Sequence, residues 1–170
     1  MLVSGKGFLS RAIMRYTRSC DEPITRVTHA GIIHDGGPLR QATIIEALAT
    51  GVQERSLWLS YGPSHENVAI WRTTLSEGEK TAIARAARRF INRKYGFHAL
   101  IAYALTRRFL TSPTYPVCSL VVAWAYASVN LNFGVAPNQA TPDDIEDWCL
   151  CNPTKARPIH GLTRLAEGWG

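Results

Sequence analysis

The sequence predicts an α+β fold, an antiparallel sheet packed against a helical layer. Two observations carry that expectation. Short runs of β character occupy Val27 to His34, Thr43 to Ala47, Gly51 to Leu59 and Val68 to Thr73. Turn chemistry separates them, at Asp35-Gly36-Gly37-Pro38, Thr50-Gly51 and Tyr61-Gly62-Pro63. Strands joined by such short connections pair antiparallel most easily. Helical patterns with strong start signals then fill the second half of the chain.

The elements follow in order. Gly7 to Arg18 has helical spacing, with Phe8, Ile13 and Tyr16 on an inward stripe and Arg11, Arg15 and Arg18 in water. Asp21-Glu22-Pro23 breaks that pattern, and the β runs come next. Ser76-Glu77-Gly78-Glu79 reads as a capping box, in which the Ser76 hydroxyl accepts from the Glu79 amide and the Glu79 carboxylate reaches back. A helix to about Lys94 follows, carrying Ile83, Ala87, Phe90 and Ile91 on one side, and Tyr95-Gly96 interrupts it. A further helical stretch is expected from Phe97 to Phe109, before Ser112-Pro113 and Tyr115-Pro116 force an extended or turn segment. Cys118 to Val129 is helical in pattern and apolar nearly all round, so burial is expected. Thr141-Pro142-Asp143-Asp144 combines a capping hydroxyl, a proline at the first helical position and acids on the positive end of the helix dipole.

The bulk composition narrows the classes. The 170 residues suit one domain, 1–170, with no internal repeat or low-complexity tract. At 46% hydrophobic residues the chain can build a core. No apolar run reaches the ~18 residues of a membrane-spanning helix. The opening Met1-Leu2-Val3-Ser4-Gly5-Lys6 lacks the pattern of a secretion signal, which points to cytoplasmic synthesis and leaves open delivery to the envelope or another cell. The net charge is +6, with arginines clustered at Arg85, Arg88, Arg89 and Arg93 and at Arg107-Arg108. These read as a solvated basic face or as attraction to anionic partners. The aromatic-and-basic pattern of single-strand nucleic-acid binding is missing, so no specific nucleic-acid partner is expected. The four cysteines, Cys20, Cys118, Cys149 and Cys151, read as reduced thiols. Cys149-x-Cys151 with His160 has poor spacing for structural zinc, and no metal or cofactor is expected.

Candidate chemistry lies in three side chains. Cys118 follows Tyr115-Pro116-Val117 at a helix start, where the dipole and unpaired amides favour a thiolate. The competing reading is a small buried hydrophobe. His29, in Thr28-His29-Ala30-Gly31-Ile32, sits inside a β run, where a buried imidazole needs a partner. His34, His65, His98 and His160 compete with it, and His34 faces the other side of the same strand by the period of two. Glu46, in Ile44-Ile45-Glu46-Ala47-Leu48, is a carboxylate within an apolar strand, either facing outward or sitting across from His29. A thiol, an imidazole and a carboxylate are the parts of an activated cysteine nucleophile.

Taken together, these segments resemble one family. Thr-His-Ala-Gly-Ile on one strand, Ile-Ile-Glu-Ala-x-x-x-Gly-Val on the next and Tyr-x-x-Cys-Ser at a helix start are similar to the circularly permuted papain-like amidases. These are the YiiX-like branch of the NlpC-type cell-wall peptidase superfamily, which also includes relatives of lecithin retinol acyltransferase. The histidine precedes the cysteine, as permutation requires. Thr141-Pro142-Asp143-Asp144-Ile145 resembles the family's Thr-Pro-x-Asp-Leu segment, and Leu2 to Ser10 resembles its first strand and helix. Ser119-Leu120 stands where Ser-Glu-Leu is more frequent. The resemblance implies a permuted papain-like fold, Cys118 as nucleophile, His29 as base, Glu46 as the third member and Tyr115 lining the substrate site. It implies acyl transfer without a metal, on a peptide, a peptidoglycan fragment or an acylated substrate. A lipid acyltransferase or thioesterase, a protein-modifying hydrolase and an inactive binding domain of the same fold remain alternatives.

Overall fold

The computed structural model describes residues 1–5, 27–34, 38, 40–97 and 114–160, the side chains of 64–66 and 160 aside. The expectations for Gly7 to Arg18, Asp21 to Pro23, Cys20, the Asp35 to Gly37 turn, His98 to Phe109, Arg107-Arg108 and Ser112-Pro113 lie outside the described residues.

An antiparallel sheet of six strands organises the described chain, which is α+β. The strands are β1 (Leu2–Val3), β2 (His29–Ile33), β3 (Thr43–Leu48), β4 (Gly51–Ser56), β5 (Val68–Thr73) and β6 (Ala156–His160), in the spatial order β4-β3-β2-β1-β5-β6. Four helices accompany them among the described residues: α1 (Leu57–Tyr61), α2 (Glu77–Arg88), α3 (Cys118–Ala127) and α4 (Pro142–Cys151). A 3-10 segment, Gly62–Asn67, links α1 to β5. No helix of the described residues is long and apolar enough to cross a membrane.

Alternation along the strands divides the core between two faces. Ala30, Ile32, Ile45, Ala47 and Val52 pack with Leu120, Val121 and Ala125 of α3 and with Ile83 and Ala87 of α2. Ile44, Val68 and Ile70 form the second cluster, with Leu57 at the start of α1. The β2–β3 register pairs Gly31 with Glu46 and Ile32 with Ile45. That register puts Glu46 on the same side of the sheet as Ile44 and His29, away from Ile45 and Ala47.

Local chemistry explains the element ends. Ser76 and Glu79 form the expected capping box at α2, and Thr141 and Asp144 form another at α4. α2 ends at Arg88, short of Lys94, because the chain tightens through Phe90 N–H to Ala87 O and then turns at Asn92 with φ +68°. Asparagine tolerates that left-handed conformation. The expected Gly51 to Leu59 strand stops at Ser56, whose hydroxyl accepts from the Leu59 amide at 3.3 Å and starts α1. α3 is buried along most of its length as expected, except for Trp124, which is 41% exposed. β6 was not legible: Pro158 removes a ladder donor, and an edge position accommodates it.

Two glycines hold the segment that follows α2. Gly51 has φ +116°, and a Cβ there would lie 2.8 Å from the Arg93 carbonyl oxygen. The β3–β4 hairpin thereby pairs with that segment, Val52 N–H donating to Arg93 O at 2.9 Å and Asn92 N–H to Val52 O at 2.9 Å. Gly96 donates its N–H to Pro116 O at 3.1 Å, and a Cβ at Gly96 would meet the Tyr115 carbonyl oxygen at 2.2 Å. Tyr95 is therefore clamped beside the lead-in to Cys118.

Candidate active site

Cys118 is the first residue of α3. Its N-cap, Val117, provides no side-chain cap, so the amides of the first turn remain directed at what lies in front of them. The Ser119 amide and the Ala30 amide of β2 both reach the sulfur. The His29 ring and the Tyr95 hydroxyl lie within hydrogen-bonding reach of it as well. The thiol is nearly covered, at 5% exposure, whereas the His29 side chain retains 18%. Solvent reaches this site at the imidazole.

The other side of the ring meets the acid. His29 Nε2–H donates to Glu46 Oε2 at 2.8 Å, which leaves Nδ1 to serve the sulfur. Glu46 is fully buried. Its Oε2 also accepts from the Tyr61 hydroxyl, while its Oε1 has no hydrogen-bond partner and lies 3.7 Å from Arg55 Nε. The outward-facing reading of Glu46 is thus replaced by a buried carboxylate turned toward the histidine.

The electrostatics follow from these contacts. Burial pushes the Cys118 thiol up, but the His29 imidazolium and the Ala30 and Ser119 amides outweigh it and hold the thiol below its ordinary value. Burial disfavours a charged His29, yet the Cys118 thiolate and the Glu46 carboxylate raise it to about 10. Burial likewise opposes ionised Glu46, and donation from His29 and Tyr61 with the Arg55 charge holds it below the usual carboxylate range. Tyr61 is pushed up by burial and the Glu46 charge, and Tyr95 by burial and the Cys118 charge, so both remain donors. These contacts favour the proton on His29, between a thiolate and a carboxylate.

The other candidates fall elsewhere. His34 Nε2 lies 2.8 Å from Glu54 Oε1 and 2.9 Å from Thr43 Oγ1, in a separate network that includes Arg88. The side chains of His65, His98 and His160 lie outside the described residues. Tyr115 is 44% exposed, and the tyrosine at the sulfur is Tyr95. Cys149 is buried and pushed up to about 11 by that burial, whereas Cys151 is exposed. No group of three metal-ligating side chains gathers among the described residues.

Sequence reasoning missed Tyr95, Tyr61 and Arg55. Tyr95-Gly96 read only as a helix break and Tyr61-Gly62-Pro63 only as a turn; a tyrosine locked beside a glycine was the one available signal. No protein-family model matches the chain, and neither a curated protein nor a solved structure matches it significantly.

Proposed function

We propose that this chain is a cysteine-dependent amidase or peptidase of the circularly permuted papain-like type, working through an acyl-enzyme. One observation carries the reading: a single imidazole bridges the Cys118 sulfur and the Glu46 carboxylate. The base and acid come from adjacent strands, and the nucleophile from a helix start later in the chain. In this reading the Cys118 thiolate attacks a carbonyl carbon, a C–S bond forms and the carbonyl oxygen takes the negative charge. Backbone amides at the start of α3, including that of Cys118, stabilise this oxyanion. The tetrahedral adduct collapses as His29 gives its proton to the leaving amine. Water then attacks the thioester, His29 takes its proton, and the acid product leaves with the thiolate restored. Glu46 keeps the imidazole oriented and charged. Cell-wall peptide is the proposed substrate, and Tyr115 lines its approach.

The test is turnover of muropeptides, set beside acyl lipids and protein conjugates, by wild type and Cys118→Ala. Hydrolysis by wild type alone, with Cys118 trapped as an acyl-enzyme, supports the reading; equal hydrolysis by Cys118→Ala removes it. The 5% exposure of Cys118 favours a second reading, a binding domain in which the ion pair serves only the fold. That domain would leave native Cys118 unreactive toward iodoacetamide at every pH.

A further inference from the structure

Resting on the triad reading, we propose that the segment Arg55–Tyr61 is a positioning cradle that keeps Glu46 ionised and aimed at His29. A carboxylate at 0% exposure takes up a proton unless donors face it. Besides His29, this one segment supplies a donor and a positive charge. Tyr61 donates to Oε2, the oxygen that also receives His29, and so fixes the carboxylate's rotation. Arg55 stands 3.7 Å from Oε1, near enough for charge and too far for a hydrogen bond. Arg55 is held in turn by Ser60, whose hydroxyl accepts from Nε at 3.1 Å and from the guanidinium NH2 at 2.7 Å and donates to Ser56 O at 2.7 Å. Ser56 caps the short helix that brings Tyr61 back over the sheet. Ending β4 at Ser56 is therefore what builds the cradle.

The ionisable groups around the site are His29 from β2, Glu46 from β3, Arg55 from β4, Tyr61 from α1, Tyr95 after α2 and Cys118 from α3. Of these, His29, Tyr61 and Arg55 hold the Glu46 carboxyl low. Without Tyr61, Glu46 takes up its proton at a higher pH. The imidazolium then loses its counter-charge, and the thiolate disappears earlier as pH falls.

The experiment measures the rate of iodoacetamide alkylation at Cys118 in the full chain against pH, resolved by mass spectrometry. Tyr61→Phe is expected to move the acid limb up by about one pH unit. In a Glu46→Gln background the same change moves nothing, since the cradle then has no charge to hold. An unmoved limb in a folded Tyr61→Phe, or an equal shift with and without Glu46, overturns the proposal. Should Tyr61→Phe fail to fold, Arg55→Gln carries the test with the same expected direction, because the Arg55 side chain is 37% exposed and leaves the core intact. A wild type without a low-pH limb overturns both the triad and the cradle. A normal wild-type limb with an unmoved Tyr61→Phe limb overturns the cradle alone.

Discussion

Replacing Cys118 with alanine isolates the ion pair through the pH dependence of stability. Ordinary values are 6.5 for histidine and 9.0 for cysteine. In the folded chain the thiol is depressed and His29 is raised to about 10. Below pH 6.5 the unfolded chain holds both protons, while the folded chain, at any pH above its depressed thiol value, holds only the one on His29. The unfolded state then binds one more proton, so stability rises with pH by ~1.4 kcal/mol per unit until 6.5. Between 6.5 and 9.0 each state holds one proton and the contribution is flat. Above 9.0 only the folded state retains a proton, and the contribution is lost as pH rises through about 10. Cys118→Ala removes the acid-side rise over the pH range in which Glu46 alone keeps the variant's His29 protonated, a range that NMR titration of the variant's imidazole defines. The cavity left by alanine adds a constant offset, so the slope decides. Urea denaturation of both proteins across that range should show wild type gaining ~1.4 kcal/mol per pH unit over the variant at pH values above the depressed thiol value. A difference that stays level while the variant's His29 carries its proton means the folded thiol is protonated, and the ion-pair argument fails.

Other outcomes follow from single contacts. Gly96→Ala drives a Cβ toward the Tyr115 carbonyl, 2.2 Å away, and should cost about 1–3 kcal/mol in chemical denaturation while slowing Cys118 alkylation as Tyr95 shifts. Ser76→Ala removes the α2 cap and should cost about 1 kcal/mol, with Cys118 alkylation unchanged. In native protein, exposed Cys151 should be alkylated while buried Cys149, pushed up to about 11, stays unmodified below pH 9; peptide mapping reads both.

What was legible in the sequence was local. Short runs of β character bounded by turns marked β2, β3 and β5, and the Ser76 capping box and the Thr141-Pro142 helix start marked α2 and α4, because these signals act within a few residues. Cys118 was legible for the same reason: a helix start is a local feature. His29 and Glu46 were visible as polar groups in apolar strands, and the β2–β3 register joined them. Arg55, Tyr61 and Tyr95 were not, since each reaches the site through the path of the backbone around it. Ser56 had the side chain of a cap, yet the apolar Leu57-Trp58-Leu59 after it read as more strand.

The crowding of the Cys118 sulfur has a cost that Tyr95 makes measurable. His29, Tyr95 and the amides of Ala30 and Ser119 all face it. A thiolate so well supplied with donors forms readily, but its nucleophilicity falls as its pKa falls, with a Brønsted slope of about 0.4–0.5. Tyr95→Phe removes one neutral donor and leaves the counter-charge of His29 in place. The thiol pKa should then rise, so the acid limb of alkylation moves upward. At pH values above that limb the thiolate is complete in both proteins, and the variant's sulfur is the stronger nucleophile. Its plateau rate with iodoacetamide should exceed wild type by roughly threefold for each unit of pKa gained. The two changes have opposite signs at low and high pH, which separates them from a general loosening of the site, where the rate would increase at every pH. A limb and plateau both equal to wild type would mean that the Tyr95 hydroxyl does not bond the sulfur in solution.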